Sequence, residues 1–258
     1  MEQSPSDHTI PKLPSEWRAI WLIGRRAAIE SFQDSMTLFI NAIFALAVPV
    51  LVVFGVVRPA TAHATTPAGR AALTATLATY LLIVGLLPAS GSVGIAAGVF
   101  AGEKQQGNLA PLLATPASNL ALFTGKILGS ILPTLLYAAV AVIAFMLEVI
   151  FATGAATWTL VPATLILSML ALVPTIAVFG AAVASVISSR VSTYNTATTL
   201  ASLALVPLSG TLLGLAFIMP NWAAWLRFLA VLAVIAIDVA IVIVGASTWR
   251  REEVLARS

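Results

Sequence analysis

The chain has no cysteine, only two histidines and few charged residues, and each shortage excludes a class of protein. Without cysteine there is no disulfide, no thiol nucleophile and no thiolate-bound zinc or iron–sulfur cluster. His8 and His63 lie far apart in the sequence and make a poor pair of metal ligands, so no metal site is expected. Charged side chains make up 9% of the 258 residues, against roughly 25% in an ordinary soluble domain. The polar surface that a water-soluble globule needs is therefore missing. No basic run is long enough to follow a phosphate backbone, which argues against a nucleic-acid partner. The first 34 residues are polar and Pro-rich, then amphipathic, and do not read as a cleavable signal peptide. A nucleotide-binding P-loop is also absent. The nearest string, Asn119 to Ile127, has Gly125 and Lys126 but Asn119 in place of the first glycine, and Ile127 in place of the magnesium-binding hydroxyl. The chain is not expected to hydrolyse ATP, to act as an enzyme by itself or to bind a cofactor of its own.

What is present is apolar. Hydrophobic residues make up 60% of the chain and the mean hydropathy is +1.02. They fall in runs longer than the ~18 residues that mark a spanning helix. Six spans are read, at Met36 to Val57, Ala71 to Phe100, Ile127 to Thr153, Leu160 to Ile187, Thr196 to Met219 and Phe228 to Thr248. The runs are apolar all round, whereas barrel strands alternate polar and apolar, so the expected fold class is all-α and integral to the membrane. Six spans place both termini on one side. If that side is cytoplasmic it carries Lys12, Arg18, Arg25, Arg26, Lys104, Lys126, Arg190, Arg250, Arg251 and Arg257, against Arg58, Arg70 and Arg227 opposite. This asymmetry follows the positive-inside rule, and the reverse topology violates it. The expected organisation is a cytoplasmic N-terminal segment over residues 1–34, a six-helix membrane domain over 35–249 and a cytoplasmic tail over 250–258, with lipid as the surroundings.

Between Trp17 and Phe32, the residues Trp17, Ile20, Trp21, Gly24, Ala28 and Phe32 recur at three- and four-residue spacing, with Arg18, Arg26, Glu30 and Gln33 toward the other side. A helix lying flat at the membrane surface buries the tryptophans near the headgroups and keeps the arginines in water. It serves either as a plain anchor or as an elbow that also touches a cytoplasmic partner.

The most informative stretch is Gly102 to Leu128. Glu103, Lys104, Gln105, Gln106 and Asn108 are polar, then Leu109, Leu112 and Leu113 share one helical face. Pro111 and Pro116 interrupt it, and Ser118 or Asn119 can cap the next helix. A connector between two spans needs only a few residues, so roughly 25 of mixed polarity suggest a docking element. This stretch resembles the permease subunits of ABC-2 type transporters. The matching positions are Glu103, Lys104, Gly107, Asn108, Leu109, Leu112, Leu113, Thr115, Pro116 and Ser118, then the Gly125-Lys126 pair that opens the third span. A weaker match runs from Ile187 to Ala197 around Arg190, followed by Pro207 to Gly210, where the family often carries a break in the fifth span.

The resemblance implies a mechanism. Such permeases form a dimer, with an identical or a sister subunit, and each half binds a separate cytoplasmic ATPase subunit that carries ATP and Mg. The Glu103 helix and the Arg190 loop would be the coupling elements, and export across the inner membrane the usual direction. Closure of the ATPase pair would then rock the spans between inward- and outward-open states.

Gly94, Gly98 and Gly102 stand four apart and lead into Glu103, a small-residue stripe suited either to close packing inside one subunit or to a dimer seam. Asp238 lies near the middle of the last span, where a charge costs at least ~2.5 kcal/mol. It reads either as a substrate or ion contact, as in a gradient-driven transporter, or as a hydrogen-bonding group between helices. Pro88 to Gly91 and Pro207 to Gly210 are similar strings in spans of opposite direction, a relic of an inverted repeat or a chance match.

Overall fold

A backbone deprived of water must satisfy its own N–H and C=O groups, and a long helix does so within one segment. The computed structural model describes residues 15–32, 35–89, 91–107, 115 and 117–248, and among these every regular element is helical. Helix α1 is Glu16–Ser31 and α2 is Ser35–Val52. α2 continues through a π-helical turn, Val53–Val57, into a last turn at Arg58–Thr61. α3 is Pro67–Ala89 and α4 is Ser92–Gln105. α5, Asn119–Thr153, is followed by a 3-10 turn at Ala155–Leu160 and by α6, Ala163–Arg190. α7, Tyr194–Ile218, leads through a second 3-10 turn, Met219–Asn221, into α8, Ala224–Thr248.

Among the described residues, five stretches are long and apolar enough to cross a membrane: Phe39–Thr61, Pro67–Gln105, Asn119–Thr153, Ala163–Arg190 and Ala224–Ser247. They overlap the first, second, third, fourth and sixth spans read from the sequence. α7 lies where the sequence places the fifth and is 25 residues long. The third begins at Asn119, two turns before Ile127, because the Ser118 hydroxyl caps it and accepts a hydrogen bond from the Ala121 amide at 3.0 Å. At 35 residues α5 is about 53 Å long, well over the ~30 Å of a hydrocarbon core, so its two ends extend beyond that thickness.

The second span is two helices. Proline cannot donate to the helix ladder, and α3 ends one residue after Pro88. The Gly91 amide then closes a turn onto the Pro88 carbonyl at 3.0 Å. A Cβ on Gly91 would stand 3.1 Å from that carbonyl oxygen and 3.4 Å from Asn41 Oδ1, so glycine permits the close passage. The matching string at Pro207 behaves differently: α7 runs through it unbroken, and the break that the resemblance implies in the fifth span is not there. Pro49, Pro133 and Pro174 likewise sit inside continuous helices. A proline removes one ladder bond, which a helix packed among neighbours can absorb, and the added Gly91 turn separates Pro88 from the rest.

Two apolar clusters fill the bundle. One, toward the Arg58 end, gathers Val53, Leu77, Leu81, Phe145, Met169 and Met219. The other lies toward the α1 end and is rich in alanine, with Ala97, Ala181, Ala184, Ala197 and Ala246 around Phe100 and Phe123. α1 lies along the start of α5 and buries Ala19, Gly24 and Ala28, while Trp17 and Trp21 are exposed. The crossing is nearly backbone on backbone. A Cβ on Gly125 would come within 2.9 Å of the Ile20 carbonyl oxygen, and one on Gly129 within 2.7 Å of the Gly24 carbonyl oxygen. Glycines four apart on α5 therefore fix how closely α1 can approach.

Candidate functional site

The last turn of α4 sends three consecutive side chains to three different helices. Glu103 Oε2 pairs with Lys126 Nζ, two turns into α5. Lys104 Nζ donates to the carbonyls of Ser189 at 3.0 Å and Val191 at 3.3 Å, where α6 ends. Gln105 Oε1 accepts the Tyr194 amide at 3.2 Å, where α7 begins. One turn earlier, Ser188 of α6 repeats the tie. Its hydroxyl donates to the Ala97 carbonyl at 2.5 Å and accepts the Ala101 amide at 3.0 Å. Helix ends leave amides and carbonyls without partners, and here side chains from sequence-distant helices meet those of α6 and α7.

Lys126 is buried while Glu103 is partly exposed. The ammonium also lies 4.8 Å from the centre of the Phe100 ring, which stacks on Phe123 at 5.5 Å. The ring face and the carboxylate together offset the loss of water around the lysine. On α1, Arg26 Nε and Glu30 Oε1 form an exposed pair at 2.8 Å. The Glu30 hydrogen bond, then its charge, hold the Arg26 guanidinium above its ordinary pKa. Between α1 and the ends of α4 and α5 lies a cavity of about 640 Å³, whose lining includes Arg26, Glu30, Glu103, Lys126, Thr115 and Tyr194.

The residues singled out in the sequence fall into three groups. Glu103, Lys104 and the Arg190 region are brought together. Lys104 reaches the two carbonyls flanking Arg190, whose own side chain is exposed at the end of α6. Gly107 has φ +71°, a left-handed conformation that glycine adopts without steric cost, and its amide closes on the Lys104 carbonyl at 3.1 Å. It ends α4. Thr115 lines the cavity. Asn108, Leu112, Leu113 and Pro116 lie outside the described residues.

Among the described residues only Gly98 of the glycine stripe is in close contact with another helix. A Cβ on Gly98 would meet the Tyr194 ring at 2.7 Å, but beside Gly94 and Gly102 no described atom lies within 4 Å. The seam between helices runs instead through Gly24, Gly125 and Gly129. Asp238 does not line this cavity; it is buried in α8, and its Oδ1 accepts no hydrogen bond among the described residues. Among those residues no group of three or more His, Asp or Glu side chains gathers as metal ligands would.

Sequence reading missed Lys126 as the partner of Glu103, and Ser188 and Tyr194 as receivers of α4. Lys126 carried a signal, a lone lysine at the head of a long apolar run, which needs a counter-charge if buried. Ser188 carried none, because serines at helix ends are ordinary. No family model and no curated protein matches the chain.

Proposed function

We propose that this chain is the membrane-spanning permease subunit of an ATP-binding-cassette exporter of the ABC-2 type, driven by a separate cytoplasmic ATPase subunit that binds ATP and Mg. α7 serves as the fifth of six crossings, both termini face the cytoplasm, α1 lies at the inner surface of the cell membrane, and a second permease subunit completes the pathway. The observation that carries the reading is the tie at the end of α4. A coupling element must pass a push at the membrane surface to several spans at once, and Glu103, Lys104 and Gln105 each grip a different helix. The α4 end and the Arg190 region, which the resemblance names as separate docking elements, are bonded to each other and so would move as one lever. Asn108, Leu112, Leu113, Thr115 and Pro116 would form the face presented to the ATPase.

The test is purification of the tagged chain from its own membranes in mild detergent. A P-loop ATPase subunit in roughly equal amount is the expected companion. Its repeated absence, while the chain remains oligomeric, would overturn the reading. A second reading, a gradient-driven transporter, draws on the buried Asp238 carboxyl, whose Oδ1 accepts no hydrogen bond among the described residues. That reading requires transport by the chain without any ATPase, and loss of transport in Asp238→Asn.

A further inference from the structure

The cavity beside α1 combines features that a soluble solute does not need together. Its walls carry Leu22 and Ile23 from α1 and Ile95 from α4, while the charged residues are Arg26, Glu30, Glu103 and Lys126. Among its described lining residues, two positive and two negative side chains leave no net charge. They are not equally committed. Lys126 is buried against Glu103 Oε2, whereas Glu103 Oε1 accepts no hydrogen bond among the described residues. Among the described residues Arg26 and Glu30 are hydrogen-bonded to each other alone, with side chains 72% and 50% exposed. An exposed pair of this kind is worth little and is readily exchanged for a ligand's charges. An apolar wall beside a neutral but strongly polar rim, at the ends of helices long enough to cross a membrane, matches an amphiphile with both a positive and a negative group in its head.

We propose that this cavity binds one phospholipid with a zwitterionic, primary-amine headgroup, taken from the leaflet on the α1 side. Arg26 takes the phosphate, as a guanidinium suits two phosphate oxygens at once. Glu30 and Glu103 Oε1 take the ammonium. A primary ammonium donates three hydrogen bonds to such carboxylates, and the trimethylammonium of choline donates none, which selects ethanolamine. The acyl chains run along Leu22, Ile23 and Ile95. This rests on the membrane residence of the chain and not on an ATPase partner, so it survives if no ATPase is found.

Native mass spectrometry of the full chain, released from bilayers of phosphatidylethanolamine, phosphatidylcholine and phosphatidylglycerol in equal parts, reads the site directly. One retained phosphatidylethanolamine per chain is expected, and about tenfold less retention in the double variant Arg26→Gln/Glu30→Gln. Gly102→Leu is the second arm. Gly102 lines the cavity and a Cβ there meets no described atom within 4 Å, so the new side chain fills the space without a described clash and removes the lipid. Equal retention of the three lipids overturns the proposal, as does retention unchanged in both variants. Displacement of the lipid by millimolar glycerophosphoethanolamine as readily as by the intact lipid overturns the role given to the acyl chains.

Discussion

The two ends of the bundle both hold a cation away from water, and they do it differently. At the α1 end, Lys126 is paired with a carboxylate from another helix, and the neighbouring bonds join residues 85 to 89 positions apart. At the Arg58 end, Arg227 is also buried and, among the described residues, meets only neutral acceptors. Its Nη1 donates to the Trp222 carbonyl at 2.8 Å and the Pro220 carbonyl at 3.4 Å, both in the adjoining turn, and its Nη2 reaches Thr164 Oγ1 at 3.4 Å. The Trp158 indole likewise bonds locally, to the Met146 carbonyl at 3.3 Å. Bonds between distant segments occur at this end too, from Thr74 Oγ1 to the Leu160 carbonyl and from Thr79 Oγ1 to the Ala216 carbonyl, both at 3.1 Å. The ends therefore differ in how the buried cation is met: by a carboxylate at one and by neutral oxygens at the other. A force applied at the α1 end is shared among α4, α5, α6 and α7, whereas the bonds of Arg227 join the α7–α8 turn to the start of α6 alone.

Breaking the α1 end at its charge pair has the largest effect. Glu103→Ala leaves Lys126 buried without a counter-charge and costs about 3 kcal/mol, read as a fall in unfolding free energy in mixed micelles. Adding Lys126→Met recovers most of it. If the single and double variants are equally unstable, the pair is not what holds α4 to α5. The same result bears on function, since loss of transport in Glu103→Ala alone mixes coupling with stability, and the double variant separates them.

The glycine crossing comes next. Gly129→Leu forces α1 off α5 and costs about 2 kcal/mol, with faster proteolysis at Arg25 and Arg26 as the sign that α1 has lifted. Gly107→Ala places a side chain in the left-handed region and costs about 1 kcal/mol, again by unfolding. At the other end, Thr164→Val removes one long hydrogen bond from Arg227, and a loss near 0.5 kcal/mol is expected. Arg26→Ala breaks only an exposed pair and stays within about 0.5 kcal/mol. Should Thr164→Val exceed Glu103→Ala in the same assay, the contrast between the two ends is reversed.

The helices were legible because their cause is local. An apolar run that must satisfy its own backbone is visible residue by residue, and the caps at Ser118 and Gly107 obey rules that act within four positions. The break at Pro88 against the continuity at Pro207 was not legible, since both strings read Pro-x-Ser-Gly and only the surroundings differ. At the site, Glu103 and Lys104 stood out as charges ending an apolar span. Their partners did not, because Lys126 and the Ser189 and Val191 carbonyls become neighbours only when α5 and α6 pack against α4. Backbone carbonyls carry no sequence signature at all. The Gly94, Gly98 and Gly102 stripe drew notice by its regularity, yet the contact that matters most lies at Gly125 and Gly129, where α1 rests.

The π turn at Val53–Val57 has a consequence for chain length. A π turn holds one residue more than an α turn, and Gly55 within it has no described atom within 4 Å of where a Cβ would stand. Deleting Gly55 lets the turn close as ordinary α-helix, with Val53 still facing the core and Arg58 still following on the same side. Among the described helices this is the one π turn, so a first span of different length can be accommodated here by indel rather than by redesign.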